Sequence, residues 1–388
     1  METETLIIGG GLMGAWTAFF LSGWGHPVTV LEKSRVGAQA SGVNYGNLRI
    51  QGRHASEYPL SLRAQEVWER IESTLGTTCE VQATGHIYVA QTQEQMEKLE
   101  RVTAEAGEFG HPVELRNRAE TLRVWPWLAG EVIGTSHAPR DCTANPRLVT
   151  PAVARAAAAQ GAVFLEGIEV TDVSAVGEGF EVVTCAGERL RARHLVNAAG
   201  AWANEIAAKF GERVPMFAAG PPQFVTEALP HFIGPSMQQV DGRVICRQVA
   251  RGNVVVAGYP RGPSDTVGNR APVPPHKTLD TMRRLARLVP ALAGAHVIRV
   301  WSGIEGYVSD MLPVLGRSMT VPNLIHAFGF CGHGFQLSPG VGIVVSELIM
   351  DGATPTPIEA FGAGRFTEAD WAGLTSHADE FDPDLKIV

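Results

Sequence analysis

The chain has 388 residues, 45% of them hydrophobic and 19% charged, with a formal charge of −8. That length exceeds one ordinary core and suits two closely packed domains, and the composition is that of a folded protein. A negative balance without runs of like charge excludes nucleic acid and anionic membrane as main partners.

In chain order, residues 5–8 form a short apolar run, 12–21 have helical character, and 28–32 are a second β-branched run. This strand–helix–strand opening implies a parallel sheet. The apolar stretch imitates a signal sequence, but no basic residue precedes it and Gly9, Gly10, Gly11 and Gly14 interrupt it. Those glycines compose Gly9-Gly10-Gly11-Leu12-Met13-Gly14, a G-x-G-x-x-G placed after a strand and opening a helix. Gly9 permits a tight turn, Gly11 lets the N–H groups near Leu12 and Met13 approach a pyrophosphate, and Gly14 lets helix and strand lie close. The pyrophosphate then sits on the positive helix end. Glu32 ends the next strand, where a carboxylate accepts hydrogen bonds from an adenosine ribose. Lys33 and Arg35 beside it either favour a phosphate or are simply solvated.

Residues 60–75 and 92–107 read as helices, with a strand at 86–90 between them. A helix over 145–161 follows Asn145-Pro146, and strands follow at 163–170, 180–184 and 194–197. Residues 224–258 read as an antiparallel sheet, with turn signals at Asp241-Gly242 and Gly252-Asn253. A glycine-rich turn at 329–334 leads into an apolar helix over about 339–350, and the remainder reads as a surface tail. No apolar run reaches the ~18 residues that a membrane span needs. The five cysteines, Cys79, Cys142, Cys185, Cys246 and Cys331, are dispersed and read as reduced thiols of a cytoplasmic protein without a metal site.

Ala198-Ala199-Gly200-Ala201-Trp202, after Leu195-Val196-Asn197, resembles the second flavin signature of the D-amino-acid oxidase family. That family includes glycine oxidase, sarcosine oxidase and the opine and hydroxyproline dehydrogenases. Four further stretches agree in order and spacing: Ala40-Ser41-Gly42 through Arg49, Asn145-Pro146 with its helix, Trp301 through Gly316, and Phe330 through Gly340. The resemblance covers most of the chain to about residue 350. It implies an α/β fold in which a Rossmann-type FAD-binding domain (1–82, 144–215 and 298–365) is interleaved with an antiparallel β-sheet substrate domain (83–143 and 216–297). Residues 366–388 are then a C-terminal tail.

The resemblance also implies FAD, non-covalently held because Asp310, Met311 and Leu312 offer no thiol beside Pro313. Ser41, Gly42, Gly46, Asn47, Leu48, Val170, Ala199, Gly200, Trp202 and Gly303 then lie along the cofactor. Gly332, His333, Gly334, Phe335 and Gln336 turn backbone N–H groups and a helix dipole toward the flavin's pyrimidine edge, where reduction builds negative charge. The implied reaction removes a hydride from the carbon next to a neutral nitrogen, giving an imine that hydrolyses.

Tyr45-Gly46-Asn47-Leu48-Arg49-Ile50 resembles the sarcosine-oxidase loop that meets both flavin and substrate. Arg49 falls on a basic position of that motif and Arg53 near a second. Either would hold a substrate carboxylate bidentately, or both would only fold the loop. Two departures leave the substrate open. Gly303-Ile304-Glu305-Gly306 stands where glycine-oxidase-like relatives have an arginine, and Gln336 stands where sarcosine oxidases have a lysine. Glu305 in a closed pocket needs a partner, either the substrate's nitrogen or a nearby arginine such as Arg299. Tyr259, Tyr307 and His333 complete the expected pocket, with Tyr45, Arg49, Glu305 and His333 as catalytic candidates. The strands over 247–258 carry no lysine of the kind that assists oxygen in some oxidases. This favours a dehydrogenase passing electrons to a protein or quinone acceptor, in a heteromeric complex, over use of O2. A 2-hydroxy-acid or glycerol-phosphate dehydrogenase on the same fold, and a non-catalytic flavin subunit, are the competing expectations.

Overall fold

The computed structural model describes residues 2–372 and 377–383, organised by two eight-stranded sheets. In the first, strand Glu2–Ile8 lies between Val28–Glu32 and Arg189–Asn197, parallel to both. Val163–Glu166 and Leu324–Phe328 extend the parallel set on either side. The C-terminal ends of Glu2–Ile8 and Arg189–Asn197 are mainly apolar and buried without alternation because both faces are covered there, whereas the first half of Arg189–Asn197 alternates polar and apolar residues. On one face Ile7 and Val30 pack with Leu12, Trp16, Val153 and Val341 from three helices, Leu12–Gly23, Pro146–Ala159 and Gly334–Met350. On the other, Leu6, Ile8 and Leu31 meet Phe180, Ile206 and Leu324.

The closing helix carries a single charged residue, Glu347, and is buried on nearly all sides. It starts at Gly334, earlier than expected, and runs through Pro339. A Cβ at Gly342 would stand 2.6 Å from the Cβ of Trp16, so this glycine lets the first and last helices touch. The helix expected over 60–75 is two, Tyr58–Glu69 and Ile71–Leu75, interrupted at Arg70.

The second sheet runs Val297–Trp301, Gln223–Ala228, Asn253–Ala257, Ile245–Gln248, Ser236–Gln239, His86–Ala90, Gly134–Ala138 and Glu114–Asn117. All neighbours are antiparallel except Ser236–Gln239 beside His86–Ala90, which join two distant chain segments. The boundary drawn at 297/298 cuts through Val297–Trp301. That strand belongs to this second sheet, with Trp301 opposite Gln223.

Among the described residues of the C-terminal stretch, expected as a surface tail, two aromatics are anchored in the fold. Phe361 and Phe381 are buried, and Phe381 forms a β-bridge with Arg261. A composition rich in proline, glycine and acid hides single aromatic anchors that bury as a core side chain does. No helix among the described residues is long and apolar enough to cross a membrane.

Candidate functional site

A cleft follows the C-terminal ends of the parallel strands, from Glu32 and Lys33 past Gly9 and Gly11 to Gly332 and Gly334. Ligands bind at this edge of an open parallel sheet, where loops converge on helix N-termini. Gly9 has φ 111°, and a Cβ there would lie 2.3 Å from the Ala198 carbonyl oxygen. The Glu32 carboxylate is fixed at the rim by the N–H groups of Gly10 and Ser34, both at 2.8 Å. Lys33 Nζ sits 3.3 Å from the centre of the Trp202 ring, closing the same end by a cation–π contact. Ser41 Oγ accepts from Leu12 N at 2.9 Å, beside the position a Gly11 Cβ would fill.

Of the residues expected along a cofactor, Gly9, Gly11, Leu12, Met13, Glu32, Lys33, Ser41, Gly46, Asn47, Val170, Ala199, Gly200, Trp202, Gly332, Gly334 and Phe335 line this cleft. Gly14, Gly42, Leu48 and Gly303 stand behind its wall. A Cβ on Gly14 would reach within 2.0 Å of Gly9 O, on Gly42 within 2.2 Å of Gly37 O, and on Gly303 within 2.1 Å of Val43 Cγ2. The three glycines let the wall pack closely from behind, and Leu48 is buried in the core. Asn44, which the sequence did not single out, braces the wall by donating to Ala40 O and Ser41 O and accepting from Gly46 N.

The expected substrate contact from the Gln336 side chain is corrected. Its side chain is buried and donates to Ser61 O at 2.9 Å, tying the closing helix to Tyr58–Glu69. Tyr45 lines the cleft, yet its hydroxyl lies 3.1 Å from Ser236 Oγ and its carbonyl accepts from Arg247 Nε. Burial raises the phenol well above its ordinary range, and with its hydroxyl and carbonyl both engaged Tyr45 packs the wall where a catalytic candidate was expected.

Beyond the Gly332 end, the loop after Leu48 brings basic groups together. Asp141 accepts from Ile50 N at 3.0 Å and Gln51 N at 3.3 Å, and faces His111 at 3.0 Å. Both side chains are fully buried, and they clamp the loop. Arg49 Nη1 donates to Gln51 O, and its guanidinium lies 5.5 Å from the Tyr88 ring centre. Arg53 is 4% exposed, and its Nε and Nη1 have no acceptor among the described residues. Burial and then the neighbouring Arg49 charge bring its guanidinium down to about 10, leaving it cationic at neutral pH.

Glu57 is buried with its Oε1 2.9 Å from His333 Nδ1. Burial pushes its carboxyl up, but the field and hydrogen bond of His333, followed by Arg53, outweigh this and hold it at about 2. Burial and the Arg53 charge pull His333 down to about 4. At pH 7 the imidazole is therefore neutral and supplies a hydrogen bond, while Arg53 is the counter-charge. His333 thus serves the arginine cluster and does not line the cofactor cleft.

Glu305 lines the cleft and accepts from Gly332 N and from the Tyr307 hydroxyl, each at 2.7 Å. It makes no ion pair with Arg299, which is exposed on the edge strand Val297–Trp301. Tyr307 is fully buried, whereas the Tyr259 hydroxyl accepts from Arg261 at 3.0 Å. Glu57, Tyr88 and Arg261 were missed in the sequence. Only Tyr88 carried a local signal, since His86–Ala90 buries Ile87 and Val89 on one face and turns Tyr88 to the other.

A family model described as FAD dependent oxidoreductase matches residues 4–348. The chain is 28% identical over 370 residues to glycine oxidase of Geobacillus kaustophilus (strain HTA426), covering 93% of this chain and 97% of that one. It is 26% identical over 381 residues to a subunit of the opine oxidase of Rhizobium meliloti, covering 94% and 98%. The crystal structure of glycine oxidase from Geobacillus kaustophilus superposes with a TM-score of 0.88 at 26% identity, covering 94% of this chain and 99% of that one. That of L-proline dehydrogenase from P. horikoshii gives 0.88 at 26% identity, covering 96% and 99%.

Proposed function

The chain belongs to the FAD-dependent oxidoreductase family, and from that premise we propose that it oxidises the carbon–nitrogen bond of a small amino acid or N-substituted amino acid. FAD held in the cleft supplies the two-electron acceptor. Glu32 takes the adenosine ribose, and the N–H groups at the start of helix Leu12–Gly23 take the pyrophosphate. The Gly332 bend faces the flavin ring.

The observation that carries the substrate reading is Arg53, a buried guanidinium with two donors lacking an acceptor among the described residues. Leaving such donors unpaired is costly, and a carboxylate of the substrate satisfies them bidentately. We take the space between the Arg49–Arg53 cluster and the Gly332 end of the cleft as the substrate chamber, which is then polar in the sense an amino acid requires. Arg49 and Arg53 outweigh Glu57 at one end, and the Glu305 carboxylate stands at the Gly332 end. Arg53 binds the carboxylate, Glu305 orients the nitrogen, and Tyr88 and Tyr259 wall the chamber. The substrate then loses a hydride from carbon and a proton from nitrogen, and the imine hydrolyses.

Glu305 also favours an amine over a hydroxy acid, which would leave this carboxylate without a cation. Among the described residues, the lysine lining the cleft is Lys33, at the Trp202 end. This supports an electron acceptor other than O2, and the similarity to a protein named as a subunit supports a heteromeric assembly. The free cysteines suit a reducing compartment such as the cytoplasm.

Anaerobic bleaching of the flavin by glycine, N-methylglycine, proline, D-amino acids and N-carboxyalkyl amino acids tests the reading. Bleaching by at least one of these, and not by lactate or glycerol phosphate, is expected. A flavin that only the hydroxy compounds bleach would overturn it. Slow reoxidation in air is expected of a dehydrogenase.

A further inference from the structure

Residues 377–383 return from the end of the chain to the chamber wall as a short strap. Arg261 N donates to Glu380 O and Asp382 N to Arg261 O, both at 2.8 Å. Between these bonds Phe381 is buried with ring centres 5.0 Å from Phe217 and 5.1 Å from Tyr307. Two ion pairs pin the strap, Arg261 to Glu380 at 2.6 Å and Lys277 to Asp382 at 3.0 Å.

Arg261 is 5% exposed and stands directly behind Gly332, which lines the cleft. Its Nη2 donates to the Tyr259 hydroxyl at 3.0 Å, and a Cβ at Gly332 would lie 3.6 Å from the same nitrogen. Its guanidinium carbon stands 4.7 Å from the centre of the Tyr307 ring, whose hydroxyl donates to Glu305. A second buried guanidinium therefore flanks the Gly332 end, and its counter-charge is delivered by the strap.

We propose that Glu380 is a specificity-determining residue: by neutralising Arg261 it leaves the Arg49–Arg53 end as the chamber's anion anchor, so that substrates with one carboxylate are accepted and those with a second anionic group are rejected. This rests on the reading of Arg53 as the carboxylate anchor. A buried guanidinium deprived of its carboxylate is strongly unfavourable. A chamber without the Glu380 charge would recruit a second carboxylate from the ligand. With the charge present, a second carboxylate meets a site already satisfied and must be desolvated without compensation.

The test uses the FAD-loaded enzyme and ligands without an amine, butanoate against succinate and glutarate, with equilibrium binding read from the flavin absorbance. The wild type is expected to bind butanoate and to discriminate against both dicarboxylates. Glu380→Gln keeps the side-chain shape and removes the charge. It is expected to bind one of the dicarboxylates about ten-fold tighter or more, with butanoate unchanged, and the gain should vanish when Arg261→Met is added. No gain, an equal gain for butanoate, or a gain that survives Arg261→Met overturns the proposal. If E380Q fails to load FAD, Arg261→Gln reverses the sign. An unmatched Glu380 should then weaken the dicarboxylates further relative to butanoate, and an unchanged ratio overturns the proposal. A wild type that binds no butanoate removes the Arg53 reading, while the strap is still judged by whether E380Q gains dicarboxylate binding.

Discussion

Glu57 Oε1 stands 2.9 Å from His333 Nδ1, joining the residue that caps helix Tyr58–Glu69 to the residue that caps the closing helix. Because Glu57 is buried and His333 part-buried near the Arg53 charge, their protonation is coupled to folding. His333 lies at about 4 in the fold against an ordinary 6.5, so the unfolded chain binds more protons between those values. Its contribution to stability is lost as pH falls from 6.5 toward 4. Glu57 lies at about 2 against 4.5, and its contribution disappears below that, as pH falls from 4.5 toward 2. His86 and His194 are also lowered by burial, so the informative quantity is the difference between wild type and His333→Asn. Thermal midpoints of the variant should fall less steeply between pH 6.5 and 4. Parallel profiles would refute the assignment.

Arg53 invites a graded substitution. Arg53→Met removes a positive charge whose field helps to keep the buried Glu57 ionised, so acid unfolding of the variant should begin at a higher pH. Arg53→Lys retains the charge and removes the planar fork. With one charge-assisted hydrogen bond lost, KM for an amino-acid substrate should rise about ten- to a hundred-fold while kcat changes little. A kcat loss with KM unchanged would mean that Arg53 acts on the reaction and not on the carboxylate.

Gly9 and Gly11 should fail in different ways. Gly9→Ala forces a left-handed backbone at φ 111° on a side chain that meets Ala198 O at 2.3 Å, so folding itself suffers. Gly11→Ala meets the Ser41 hydroxyl at 2.9 Å, which can rotate away, and Gly11 has an ordinary φ of −74°. The Gly11 variant should keep its thermal midpoint without cofactor and lose about ten-fold or more in FAD affinity, because its methyl enters the pyrophosphate cradle. Full flavin content after dialysis would show that the phosphates lie elsewhere.

What could be read from the sequence is what short-range chemistry encodes. The glycine turn, Glu32 and the Gly332 bend announce themselves because a strand, a turn and a helix start lie within a few residues of one another. Arg53 was visible only through resemblance, and Glu57 was invisible because its partner His333 lies 276 residues away. Gln336 was misread because the closing helix begins at Gly334, which places this side chain in the seam with Tyr58–Glu69 instead of at the cleft. The strap escaped because a single phenylalanine in a polar segment has no periodicity. Only the aromatic pocket of Phe217 and Tyr307 gives Phe381 its meaning. Val297–Trp301 escaped for a related reason, since an edge strand is defined by its neighbour Gln223–Ala228.

Glu305 decides whether the chamber is built for a nitrogen. Its two oxygens accept from Gly332 N and the Tyr307 hydroxyl, two neutral donors that orient a carboxylate without cancelling its charge. Among the described residues no ion pair of Glu305 is found, and on the proposed reading a cation from the substrate completes the site. Glu305→Gln keeps the shape but turns an amide N–H toward one of those donors, which disturbs the Tyr307 hydroxyl slightly whatever the ligand. The discriminating readout is therefore a comparison. KM for amines carrying a positive charge should rise about ten-fold or more, whereas binding of butanoate, which has no cation to lose, should stay level or tighten as a nearby negative charge is removed. An equal loss for both ligands would reduce Glu305 to a brace for the Gly332 bend, and the preference for amines would then have to arise elsewhere in the chamber.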